Sequence, residues 1–260
     1  MLSINAEQIL QFMAMYILPF ARLSGFLMTL SVIGSRNFPA KFRLLFALSM
    51  TILIVPVLPQ TASIKLFSLS SFLLIIEQTL IGITLGFVSR LLLETFVVGA
   101  QIIAMQSGLG FASLVDPANG NSVPALGQFF LMMCTLLFLV MDGHSLMIRM
   151  VVESYSTMPI GGEQNIQDML YQLVLWTRWM FAIALVMALV AIASLLIVNI
   201  SFGVMTRAAP QINVFAVGFP LTMVSGLILV WLTMGYFLPH FENQLARATL
   251  LMCSMIGTEC

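Results

Sequence analysis

The run WMFAIALVMALVAIASLLIVNI, residues 179–200, carries no charged side chain from end to end. A helix needs roughly 20 mostly apolar residues to cross the hydrocarbon core of a bilayer, and this run supplies them without a break. Composition extends the reading to the whole chain. Of 260 residues, 60% are hydrophobic and 8% are charged, and the mean hydropathy is +1.07. A soluble domain carries about 25% charged residues, enough to cover a water-facing surface. The chain is therefore expected to be an integral membrane protein. Ten basic and ten acidic residues cancel, so no basic face points to nucleic acid and no acidic tail points to a solvated arm.

Outward from 179–200, most other apolar stretches are interrupted. Residues 9–30 contain Pro19 and Arg22, 44–59 contain Pro56, and 66–89 contain Glu77. Residues 95–115 contain Gly99, Gly108 and Gly110, residues 123–141 are uncharged, and 212–239 contain Pro220. The pattern predicts an all-α membrane protein of six to seven hydrophobic, partly broken helices. Proline removes a backbone donor and bends a helix, and freed backbone groups cannot face lipid. Many of these helices are therefore expected to pack on protein.

Three charges lie in or beside apolar helix: Glu77, Arg90 and Glu94. A charge at mid-bilayer costs about 2.5 to 3.5 kcal/mol on insertion scales. Arg90 and Glu94 are four apart and share a helix face. Glu77 has no sequence-near partner, so it is expected to pair with another helix or subunit, or to line an aqueous path. The GITLG segment at 82–86 is a GxxxG pattern, which lets two helices approach closely.

Enzymatic chemistry finds little support. No phosphate loop ending in Lys-Ser or Lys-Thr is present, and neither His144 nor His240 lies in a zinc-binding HExxH pattern. Cys134, Cys253 and Cys260 have no metal-site spacing. No metal, no cofactor and no catalytic residue is expected. In MDGHS, 141–145, Asp142 and His144 read either as a proton relay or as a polar turn closing a helix near Met141. Asp-Gly is a common turn dipeptide, and the turn is favoured. The N-terminus MLSINAEQIL has no positive residue, so a cleaved secretory signal is not expected.

Against this background the stretch QSGLGFASLVDPANGNSVPALGQ, 106–128, is anomalous. It is rich in glycine and polar residues and broken by Pro117 and Pro124. A second unusual stretch, NISFGVMTRAAPQINVFAVGFPLT at 199–222, sets Arg207 and Pro210 between two apolar segments.

With these two stretches the chain resembles the FliR family of flagellar biosynthetic proteins. The similarity runs from Pro19 and Arg22 through RNFPAKFR at 36–43 to the terminal region. It is strongest at GLGFASLVDP (108–117), the Gly143–His144 pair and APQINVFAVGFP (209–220). The resemblance implies a FliP-like part, about 1–165, and a FliQ-like part, 166–260, within a helical export-gate assembly raised out of the bilayer plane. It implies one copy of this chain with five FliP-like and four FliQ-like subunits, joined by FlhB. Such a gate passes unfolded flagellar proteins across the bacterial inner membrane at the flagellar basal body, driven by the proton-motive force or a separate ATPase. It further implies that a loop near 106–122 reaches into the pore and helps to plug it. The residues of that plug here are Gly108, Leu109, Gly110, Phe111, Ala112, Leu114, Asp116 and Pro117. Phe111 and Leu114 would be its apolar caps, and Asp116 to Asn121 its turn. The alternative reading is a small-solute or ion transporter, since broken helices and lone charges also mark midplane substrate sites.

Overall fold

The computed structural model describes residues 6–34, 39–58, 68–111, 113–115, 122–162, 164–208, 214–258 and 260. Among them the chain is overwhelmingly helical. Four helices are α1 (Ala6–Thr29), α2 (Ala40–Ile54), α3 (Leu69–Gln106) and α4 (Ala125–Val140). Four more are α5 (Gly143–Thr157), α6 (Ile166–Ala208), α7 (Val214–Thr233) and α8 (Phe237–Ile256). One small hairpin, β1 (Ser113–Val115) with β2 (Ser122–Pro124), stands between α3 and α4. Four segments are long and apolar enough to cross a membrane: Ala40–Val57, Leu69–Gln106, Ile166–Ala208 and Val217–Ile256. The architecture is that of an all-α membrane protein.

Two helices are far longer than a bilayer requires. At 1.5 Å per residue, the 38 residues of α3 span about 57 Å and the 43 of α6 about 65 Å. The hydrocarbon core is only about 30 Å thick. The apolar segments expected at 66–89 and 95–115 are one helix, α3. Arg90 and Glu94 between them are good helix formers, and a single glycine costs a helix only about 1 kcal/mol. Gly99 accordingly lies inside α3. A Cβ built there would stand 3.3 Å from the Ala184 carbonyl oxygen of α6.

The apolar run expected at 123–141 is the single helix α4. α4 ends at Val140 and α5 begins at Gly143, and Asp142 between them takes the left-handed conformation with φ 53°. α5 and α8 escape an apolar-run search because they carry Arg149, Glu153, Glu242 and Arg247.

The chain divides into two compact units, each assembled from separate stretches. The first holds Met1–Leu91, Met141–Trp176 and Ala246–Cys260; the second holds Leu92–Val140 and Thr177–Leu245. In the first unit, α1 and the N-terminal part of α3 cross at glycines. A Cβ on Gly25 would lie 2.6 Å from the Thr79 carbonyl oxygen, and one on Gly86 would lie 2.6 Å from that of Phe26. A Cβ on Gly82 would run into the Arg22 carbonyl. The GxxxG pair thus lines this crossing, and the Thr29 hydroxyl donates across it to the Ile83 carbonyl at 3.2 Å. At the end of α8, Gly257 turns the chain with φ 71°, and Cys253 and Cys260 form a disulfide.

In the second unit, buried rings build the centre. Phe96 lies 5.2 Å from Phe237 and 5.5 Å from Phe241 between ring centres, and Phe130 lies 5.4 Å from Phe237. Away from the centre, α6 and α7 turn large side chains such as Val186, Leu189, Ile197 and Trp231 outward. A helix apolar all round needs lipid or another protein to cover it.

Candidate functional site

The anomalous stretch becomes a hinge followed by a hairpin, both in the second unit. α3 ends at Gln106. The Ser107 N–H still bonds the Ile103 carbonyl at 3.0 Å, and the Gly108 N–H bonds that of Met105 at 3.3 Å. The Ser107 hydroxyl turns back to the Ile103 and Ala104 carbonyls at 2.9 and 3.2 Å. Gly108 then adopts φ 78°, a left-handed conformation open to glycine at little cost. Leu109–Phe111 form one 3-10 turn. The strands follow, antiparallel, with Ser113 opposite Pro124, Leu114 opposite Val123 and Val115 opposite Ser122. α4 starts at Ala125, directly after the hairpin, and Gly127 on it faces Gln101 of α3, where a Cβ would stand 3.3 Å from Cγ.

The expected plug residues map onto this element unevenly. Gly108 is the hinge, Leu109, Gly110 and Phe111 make the turn, and Leu114 is the middle of β1. Ala112, Asp116 and Pro117 lie outside the described residues. All three flagged charges lie on α3, where Glu77 and Glu94 are half-buried and Arg90 is exposed.

A second constellation, in the first unit, surrounds a cation that the sequence showed only as an interruption of an apolar run. Arg22 on α1 is fully buried. Its Nε donates to Gln78 Oε1 at 2.8 Å, and its Nη1 to the Ser154 carbonyl at 2.9 Å and the Ser154 hydroxyl at 3.0 Å. Nη2 donates to the Met158 carbonyl at 2.9 Å. The guanidinium carbon stands 4.4 Å from the centre of the Tyr155 ring, and the Tyr155 hydroxyl donates to the Pro19 carbonyl at 2.8 Å.

Ser154 and Met158 belong to the last turn and cap of α5. The final carbonyls of a helix lack intrahelical donors, and the negative end of its dipole favours a cation. Arg22 thus caps α5 from another helix and ties α1, α3 and α5 together. Because Gln78 Oε1 accepts from Arg22, its amide orientation is set, and its buried Nε2 has no partner among the described residues. The pattern that could have revealed this site was one arginine at position 22 facing a Glu-Gln pair at 77–78. No sequence periodicity links them. Among the described residues no group of His, Cys, Asp and Glu could hold a metal ion.

Comparison with known proteins places these features in a wider set. The profile of the bacterial export proteins, family 1, matches residues 13–248. The flagellar biosynthetic protein FliR of Escherichia coli K12 is 33% identical over 257 residues, covering 99% of this chain and 98% of that protein. FliR of Pectobacterium carotovorum is 31% identical, covering 98% of each. FliR of Bacillus subtilis is 28% identical, covering 93% of this chain and 94% of that protein.

Proposed function

The chain belongs to the bacterial export proteins, family 1, and on that footing we propose that it works as a pore-forming subunit of a flagellar protein export gate. The coarse statement, a membrane-embedded component of flagellar protein export, follows from the family and from the FliR relatives across nearly their whole length. The finer proposal is that the chain helps conduct unfolded flagellar proteins across the bacterial inner membrane. Its partners in that reading are FliP-like and FliQ-like subunits and FlhB. Residues 1 to about 165 are the FliP-like part and the remainder to 260 the FliQ-like part.

The observation that carries the proposal is the hairpin. Among the described residues, a two-stranded element that follows a left-handed glycine interrupts a chain that is otherwise mostly apolar helix. A connector between α3 and α4 needs only a few residues, whereas here a 3-10 turn and a pair of strands stand between them. The lengths of α3 and α6 support an assembly that stands out of the bilayer, and their outward apolar faces support cover by partner subunits. In this reading the hairpin occupies the closed pore.

The test is deletion of 110–120, or replacement of both Phe111 and Leu114 by glycine, in the complex assembled with its partner subunits. Burying one large apolar side chain contributes roughly 1.5 to 3 kcal/mol, so losing two removes about 3 to 6 kcal/mol from a closed state that depends on them. Dye or ion leak should rise while assembly, checked by co-purification, is retained. An assembled complex that stays as tight as the parent returns the hairpin to a simple connector.

A further inference from the structure

We propose that Phe219 of α7 is a positioning residue for the hairpin, a latch that holds the hinge at Gly108 in its left-handed turn. The proposal rests on the plug reading above and adds the element that sets the plug.

The hinge meets α7 at two points. A Cβ built on Gly108 would lie 2.9 Å from Phe219 Cε2 and 3.4 Å from Cδ2. The bare α-carbon therefore serves two ends: it permits φ 78° and it admits the edge of the ring. The second point is Gly226, where a Cβ would collide with the Ser107 side chain. Positions seven apart fall on one helix face, so one face of α7 touches consecutive residues of the hinge. On its other side the hinge is tied to α3 by the Ser107 hydroxyl and by the Ser107 and Gly108 N–H groups. The hairpin thus leaves α3 through a joint that meets α7 at an aromatic ring and at a glycine.

α7 is weakest at the latch itself. Pro220, immediately after Phe219, lies inside the helix and cannot donate to the carbonyl four residues back. Such a break concentrates bending at one turn. Phe219 is also 42% exposed, so part of the residue is already uncovered. A bend of α7 at Pro220 moves the ring off Gly108 and frees the joint. Because α7 lies in the 166–260 part, this contact gives that part a direct mechanical hold on the plug.

The experiment uses the full complex and three variants: Phe219→Ala, Phe219→Leu and Phe219→Tyr. Two readings are taken, ion leak and hydrogen exchange of the Ser113–Val115 amides. Phe219→Ala and Phe219→Leu should raise leak about tenfold and speed exchange, with normal complex recovery. Phe219→Tyr, which keeps the ring edge, should restore both. Unchanged hairpin exchange in the Ala and Leu complexes overturns the latch, whatever the leak. If the 110–120 deletion leaks and Phe219→Ala does not, the latch is wrong and the plug stands. If the deletion does not leak, the plug reading fails, and exchange alone decides the contact. Loss of the complex with both Ala and Leu makes Phe219 a packing residue and also overturns the proposal.

Discussion

Arg22 Nη2 on α1 donates a 2.9 Å hydrogen bond to the carbonyl oxygen of Met158, the residue that closes α5. A fully buried cation is thereby held by a helix end, a glutamine, a serine and an aromatic ring. Removing one member of such a set costs more than its net contribution, because the remaining groups stay buried without partners.

Replacing Arg22 with methionine should therefore be costly. It leaves Gln78 Oε1 and the Ser154 carbonyl without the donor they now have. Each buried unsatisfied group costs about 1 to 3 kcal/mol. Arg22→Lys should fall between methionine and the parent, since one ammonium cannot reproduce a planar fork. Thermal unfolding of the detergent-purified protein measures the series. A lysine variant as stable as the parent would refute the fork geometry.

Gly82→Ala should destabilise the crossing of α1 and α3 by about 1 to 3 kcal/mol, because its methyl meets the Arg22 backbone and neither chain can give. The paired control is Gly203→Ala on α6, where a Cβ meets nothing within 4 Å. Alanine there should be neutral or stabilising by up to about 1 kcal/mol through helix propensity. Equal effects from the two would show that the crossing is looser than the glycines indicate.

Asp142 separates a turn from a proton relay. Its left-handed φ of 53° costs a non-glycine residue about 1 to 2 kcal/mol. Asp142→Gly should thus preserve or raise stability and leave export unchanged, whereas Asp142→Val should destabilise. Export lost in a stable Asp142→Gly variant would instead assign the carboxylate a chemical role.

Phe96→Ala empties the centre of the second unit, where the ring is fully buried between Phe237 and Phe241. The expected loss is about 3 to 5 kcal/mol. Limited proteolysis and melting report it, and a loss below about 1 kcal/mol would mean that the site collapses around the missing ring.

The parts of the fold legible in the sequence are those decided by local rules. Apolar runs marked α1, α2, α4, α6 and α7, and Asp-Gly marked the turn between α4 and α5. The fusion of two runs into α3 was not legible, because a helix passes through Arg90 and Glu94 as readily as through leucine. α5 and α8 were missed because each is amphipathic: exposed Arg149, Glu153, Glu242 and Arg247 interrupt the apolar run, while Met150, Val151, Phe241 and Met252 are buried. At the hairpin, glycine and proline announced irregular backbone, yet the pairing of Leu114 with Val123 follows no strong alternation. Arg22 was visible as an oddity, but its partners at Gln78, Ser154 and Met158 lie 56 to 136 positions away.

The shortness of β1 and β2 has its own consequence for a conduit proposed to carry unfolded polypeptide. An open strand edge is a template on which an extended chain can add itself as a further strand. Each strand here is three residues long and pairs with the other, leaving a minimal edge. Pro124, opposite Ser113, ends β2 with a residue that has no N–H to offer. A passing segment can form too few backbone hydrogen bonds with such a rim to hold it in place. In the proposed conduit the hairpin would thus meet travelling polypeptide without seeding augmentation.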